Sequence, residues 1–245
     1  MNLVLTHAKY QVLETIRVPI AVIGTTFFPV AVMLFFVVPN VGDNPVAATL
    51  ATASMVTFAM STTCLFTYGI GVAEDRTRPW EPFTRTLPAG ATPRFLGRII
   101  NGVVFVFLSV VPVVIVAAVA TEATASARQL ALAAGALLAG AIPFTLLGLA
   151  IGYALPFKAA LAVAQVLFLP LAVGGGLMSD PNNMPGWLAA ISPYLPTRGA
   201  GELMWAALTD YAVDSTAMVT LGAWTVVLAV IAVWAYRRDE GVRFS

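Results

Sequence analysis

The sequence predicts an all-α polytopic membrane protein, and three observations carry that reading. First, 59% of the 245 residues are apolar and only 10% are charged, against about 25% charged in a soluble domain. Second, residues 18–42, 44–73, 99–121, 129–157, 159–179 and 215–236 contain no Asp, Glu, Lys or Arg. Each run exceeds the roughly 20 apolar residues that cross a hydrocarbon core as a helix. Third, Lys and Arg are sorted by loop. With six spans, one set of loops carries Lys9, Arg17, Arg76, Arg78, Arg85, Arg94, Arg98, Lys158, Arg237, Arg238 and Arg243, and the other only Arg128 and Arg198. Positive flanks stay cytoplasmic, so a cell-membrane protein with both termini inside is expected.

The whole chain, 1–245, reads as a single transmembrane domain. Residues 1–18 form an amphipathic helix with Leu5, Ala8, Val12 and Ile16 on one face and His7, Gln11 and Glu14 opposite, suited to the membrane interface. Pro19 ends it. Spans are expected at 19–39, 48–73, 99–120, 130–155, 159–178 and 216–236. Pro29, Pro112, Pro143 and Pro170 lie within them, where each removes a backbone donor and can kink its helix. Gly174-Gly175-Gly176 would give the fifth span a flexible end.

Residues 179–214 fit neither a span nor a polar loop. Pro181, Pro185, Pro193 and Pro196 interrupt any spanning helix, yet Trp187, Leu188, Ile191, Tyr194, Leu203, Met204, Trp205 and Leu208 are strongly apolar. Two short re-entrant helices, near 187–191 and 200–208, are expected to dip into the outer leaflet, because irregular backbone at that depth must be buried in protein. An external loop with interfacial aromatic residues is the competing reading.

Several function classes are excluded. One cysteine (Cys64) and one histidine (His7) cannot build a disulfide framework or a Cys/His metal site. A net charge of +1 offers no basic footprint for nucleic acid. No G-x-x-x-x-G-K-[ST] phosphate loop is present, and no cleavable leader is expected. On this reading no ionisable residue lies in mid-span, which argues against an ion-driven secondary transporter. No base is available for an intramembrane hydrolase. The remaining intramembrane polar groups are mostly helix-packing hydroxyls. Thr57, Ser61 and its neighbours Thr62 and Thr63, and Gln165 are the candidates for a substrate path. Gly135 and Gly140 are candidates for contact with a second copy.

The largest cytoplasmic feature is segment 74–98. Pro79 can open a short helix and Pro88 stop it. Within it Trp80, Phe83 and Leu87 share a face, and Glu81 and Arg85 make an i,i+4 pair. Two turns are not stable alone, so this helix needs a partner surface; a charged helix packed on the bilayer is the competing reading.

Four features together resemble the type 2 ABC transporter permeases, the six-span membrane subunits of drug and polysaccharide exporters. An interfacial segment with Glu14, Arg17 and Pro19 precedes a span with Pro29. The second span ends in Glu74-Asp75-Arg76, followed by Trp80-Glu81, Leu87-Pro88 and Gly97-Arg98. Ser192-Pro193 and Pro196 precede the last span, and both termini are inside. The family often shows Gly-Thr-Leu-Glu where this chain has Arg78-Pro79-Trp80-Glu81. The resemblance implies a permease that works as a dimer, with a second copy or a related permease, joined to two ABC ATPase subunits. ATP and Mg would be held by those partners, with no cofactor in this chain. It further implies that Glu74, Asp75, Arg76, Trp80, Glu81, Phe83, Arg85 and Leu87 belong to the coupling element that meets the ATPase. Export of an amphiphilic, drug-like, lipid-like or glycan cargo is the expected function. A membrane assembly factor of the same architecture and an ion-driven transporter remain the alternatives.

Overall fold

The computed structural model describes residues 27–78 and 91–242, together with residues 6, 9, 10, 12 and 13; the side chains of residues 91–96 and 240–242 are outside the description. The expected interfacial helix and the 79–90 part of the coupling segment, with Trp80, Glu81, Phe83, Arg85 and Leu87, therefore lie largely or wholly outside the described residues. Among those described, every regular element is helical. The elements are α1 (Phe27–Val41), α2 (Pro45–Asp75), α3 (Ala91–Ala120), α4 (Ala127–Ala154), α5 (Phe157–Gly174), α6 (Gly186–Ile191), α7 (Pro196–Leu208) and α8 (Ser215–Val242). A 3₁₀ turn, Ser192–Tyr194, joins α6 to α7. The protein is a polytopic membrane protein: α2, α3, α4, α5 and α8 are each long and apolar enough to cross a membrane, and α1 is a shorter apolar helix whose expected beginning precedes the described residues.

Local chemistry sets the helix ends. Asn44 caps α2, its side chain accepting from the Val46 and Ala47 N–H groups at 3.1 Å, and Pro45 occupies the first turn. Ser126 and Gln129 form a reciprocal capping box on α4. Pro156 precedes α5 and Pro196 opens α7, as their fixed φ permits.

Helix α2 is the centre of the bundle. Nearly every residue from Ala48 to Cys64 is buried, consistent with a sequence that is apolar all round and has no polar stripe. Its hydroxyls turn back onto their own helix: Thr49, Thr52, Ser54, Thr57 and Ser61 donate to carbonyls three or four residues earlier. Helix α4 packs against α2, α7 and α8, while α3 lies along the opposite side of α2. The apolar faces left open on α3, α4, α5 and α8, such as Val119, Leu132, Val166 and Val219, are those a hydrocarbon environment would cover.

The contact of α2 with α4 is unusually close and rests on glycine. A Cβ at Gly148 would lie 2.9 Å from the Cys64 carbonyl oxygen, and one at Gly152 would lie 2.6 Å from the Tyr68 carbonyl oxygen. Gly148 and Gly152 form a G-x-x-x-G pair, and Gly69 of α2 faces Gly148. At this level α2 widens into a π-helical stretch, Leu65–Ile70, and α1 has a second one at Met33–Val37. Neither π segment has a signature in hydropathy.

Helix α5 is short, and that leaves room. Its 18 residues rise about 27 Å, whereas the 28 residues of its antiparallel neighbour α4 rise about 42 Å. The space beyond Gly174 is filled by α6 and α7, at 186–191 and 196–208, close to the two expected re-entrant helices. Helix α7 reaches the middle of its neighbours. Ala200 packs on Gly140 and beside Met60, which lie at the middle of α4 and α2. Gly140 is therefore used inside the chain, correcting its assignment to contact with a second copy, while a Cβ at Gly135 would meet nothing within 4 Å. The glycine triplet is a tight corner: Gly176 has φ +78°, and a Cβ on Gly175 would strike Thr197.

A branched side chain at Gly152 cannot be accommodated by rotamer change, since the obstacle is backbone. Gly152→Val should lower stability by about 1–3 kcal/mol or more, whereas Gly135→Val should stay within about 0.5 kcal/mol. Thermal unfolding of the two variants in one detergent checks this; equal midpoints would contradict the close approach of α2 and α4.

Candidate functional site

Two groups of polar side chains stand out in an apolar bundle. The first closes the end that carries Arg76, Arg78, Arg98, Lys158, Arg237 and Arg238, called here the basic end. Glu74, Asp75 and Arg76 terminate α2 there. Glu74 is exposed. Asp75 pairs with Arg98 of α3, and with Arg78 at 3.3 Å, closing the root of the segment between α2 and α3. Arg76 turns the other way. Its Nη1 donates to the carbonyls of Gly152 (2.7 Å) and Leu155 (2.9 Å), at the end of α4, where a cation opposes the unsatisfied carbonyls and the helix dipole. Its Nε and Nη2 donate to Asp239 Oδ1 of α8 at 3.0 and 2.6 Å. The Asp239 side chain is 4% exposed. One guanidinium thus holds the ends of α2, α4 and α8 together, as its fixed fork of donors allows.

The expected substrate-path residues are not brought together. Thr57 and Ser61 are buried in α2 and bonded to its own carbonyls, while Gln165 is exposed on α5. Beside them, the hydroxyls of Thr62 and Thr63, and Oδ1 of Asn101 on α3, are buried without a hydrogen-bond partner. An aromatic cluster separates α5 from α2: Phe168 stacks on Phe58 at 6.3 Å and meets Phe28 and Phe66 edge-on or tilted.

The second group lies at mid-depth on α7. Arg198 Nε donates to Glu202 Oε1 at 2.7 Å, with the two side chains 9% and 0% exposed. Arg198 Nη2 donates to the Tyr211 hydroxyl (2.7 Å), Nη1 points at Met184 Sδ (3.3 Å), and the guanidinium lies 4.9 Å from the Trp205 ring centre. Glu202 Oε2 accepts the Asp214 backbone N–H at 2.7 Å. Burial raises the pKa of Tyr211, opposed by the Arg198 charge, so the hydroxyl that accepts from Arg198 remains protonated. Helix α7 is tied by hydrogen bonds to three of the long helices around it. Trp205 Nε1 donates to Ser54 of α2, Gln129 of α4 donates to the Leu208 carbonyl, and Thr197 donates to the Leu171 carbonyl of α5.

Arg198 and Glu202 lie on α7, outside the long apolar helices to which the expectation of no mid-span charge applied, yet both are buried in the bundle. Arg198 counted as an external-loop charge because the prolines around it hid the helix that carries it inward. Its i,i+4 spacing from Glu202 was the available signal. Both carboxylate oxygens are engaged by the protein itself, an arrangement suited to a fixed pair rather than to a proton relay. Asp239, equally unanticipated, had no local signal, since its partner lies 163 residues away.

Removing one member of a buried pair strands the other, at a cost of about 3–5 kcal/mol, whereas replacing both by apolar groups is far milder. Arg198→Met should therefore lower the unfolding midpoint much more than Arg198→Met combined with Glu202→Leu. A double variant as unstable as the single one would show that the pair is not an isolated charge couple.

The comparisons with known proteins agree with this architecture. The sequence matches the ABC-2 type transporter family over residues 2–208, which takes in α1 to α7. It is also 24% identical over 245 residues to "Putative transport permease YvfS" of Bacillus subtilis (strain 168), covering 99% of this chain and 100% of that protein. The six apolar helices, the broken helices before the last of them and the match over most of the chain place it as a transport permease subunit rather than an enzyme: it belongs to the ABC-2 type transporter family.

Proposed function

We propose that the chain is the membrane subunit of an ATP-driven exporter. Two copies, or one copy and a related permease, would join two ABC ATPase subunits that hold ATP and Mg. Membership of the ABC-2 type transporter family carries this reading, and the chain has no phosphate loop of its own. The basic end faces the cytoplasm of the cell membrane, with both termini, because the positive residues collect there. Segment 79–90 presents Trp80, Phe83 and Leu87 to the ATPase, with Glu81 and Arg85 at the rim and Glu74, Asp75 and Arg76 at the root. Its two ends are pinned by Asp75 with Arg98 and by Arg76 with Asp239, which suits a segment that must carry force rather than swing freely. An amphiphilic cargo, drug-like, lipid-like or glycan, fits helices whose open faces are almost wholly apolar, with Gln165 and the Thr57–Ser61 side of α2 as candidate contacts along its path.

Orientation is checked by thiol labelling on a Cys64→Ser background. Cysteine substituted at Arg128 or Asp210 should react with an impermeant reagent in intact cells, and cysteine at Arg85 or Arg238 should not. Labelling at Arg85 would reverse the topology.

Docking is checked by co-purification. Aromatic anchors in a buried pocket commonly carry about 2 kcal/mol or more, and rim charge pairs much less. Trp80→Ala should therefore lose bound ATPase while inserting normally, and Glu81→Ala should lose less. Normal assembly of Trp80→Ala with the ATPase would remove this segment from the docking surface.

A further inference from the structure

We propose that Asp239 is a positioning residue for coupling. Through Arg76 it fastens the root of segment 79–90 to the last span, so that displacement of that segment is delivered to α8. The proposal rests on the reading that this segment meets an ATPase. Three observations carry it. Arg76 is the first residue beyond α2, three positions before the segment begins, so it moves with the segment's root. Its guanidinium has donors committed in two directions, to the α4 carbonyls of Gly152 and Leu155 and to Asp239 Oδ1. Asp239 is buried, while its neighbours Arg237 and Arg238 are exposed, so this carboxylate is turned inward where the two preceding charges face outward.

A second contact between α4 and α8 lies beside the junction. The Tyr153 ring of α4 meets the Tyr236 ring of α8 edge-on at 5.1 Å, one turn from Asp239. Above that level α8 packs on its neighbours through apolar side chains such as Leu221, Leu228 and Ala232, with one directional bond, Trp224 Nε1 to the Tyr194 carbonyl, and apolar packing resists sliding weakly. A charge-assisted contact in which two donors converge on one carboxylate oxygen is directional and transmits both push and pull. With it intact, α2, α4 and α8 respond together. Without it, Arg76 still reaches the α4 carbonyls and Asp75 still holds Arg98 of α3, and α8 is left to follow through its apolar packing on α4 alone.

The test uses the permease bound to its ATPase in lipid nanodiscs, on a Cys64→Ser background, with an environment-sensitive fluorophore on a cysteine at one of two positions. Thr77→Cys reports the root of the segment, and Val219→Cys reports the far end of α8, about 30 Å from Asp239 along the helix. With the native Asp239, ATP plus vanadate should change the signal at both positions. In Asp239→Ala the change at position 77 should persist, with ATP hydrolysis within about twofold of the parent, and the change at position 219 should fall at least about fivefold. Asp239→Glu should restore it. If Asp239→Ala yields no folded complex, Asp239→Leu, which fills the space and accepts no hydrogen bond, is read in its place. An undiminished signal at position 219 in the Ala or Leu variant overturns the proposal, as does a parent complex that moves at 77 and not at 219. Proportional loss at both positions would assign Asp239 a structural role only. Failure of the permease to bind any ATPase would instead overturn the coupling reading on which the proposal rests.

Discussion

A charged helix inserted half way into an apolar bundle must bring its own counter-charge, and that requirement organises this protein. Arg198 and Glu202 sit one turn apart on α7, so the pair forms within the helix and enters the bundle already neutral. The remaining donors and acceptors are met by Tyr211, Met184 and the Asp214 backbone, from the segments on either side of α7. With its charges satisfied, α7 can lie against the middle of α2 and α4 and be keyed to Ser54, Leu171 and Gln129. The loops before and after α7, the early end of α5 and the start of α8 all follow from seating that helix.

The space for α7 exists because two other constraints are met. α5 stops about 15 Å short of its neighbour α4, leaving a gap that a re-entrant element fills. α2 and α4 approach through Gly148 and Gly152 at the level of the π-helical stretch of α2. That stretch shifts the register of side chains after Cys64, and Tyr68 reaches across to the α3 carbonyls of Arg98 and Ile99. π-helical turns recur at functional positions in helices, and this one lies between the bundle middle and the Glu74-Asp75-Arg76 end of α2.

The basic end shows the same economy with fewer residues. Glu74-Asp75-Arg76 looks like a charged surface run, yet its three members face three ways: outward, toward α3, and toward α4 and α8. Two of them bind the chain to itself.

What the sequence determined by itself was everything that depends on local composition. Crossing a bilayer demands a long uncharged run, and a broken, apolar, proline-rich stretch demands burial; both are properties of contiguous residues. The membrane class, the helix positions, the re-entrant pair and the end where positive charge collects were therefore legible. Tertiary structure alone decided which charges leave the surface. Arg198 and Arg128 count alike in a loop inventory, but only Arg198 has a carboxylate one turn away and a cavity beyond α5 to enter. Gly135 and Gly140 are equal as small residues, and only the arrival of Ala200 separates them. Asp239 acquires its role from Arg76, and no window of sequence contains both. Pairing across the chain is set by how helices pack, and local periodicity carries no record of it.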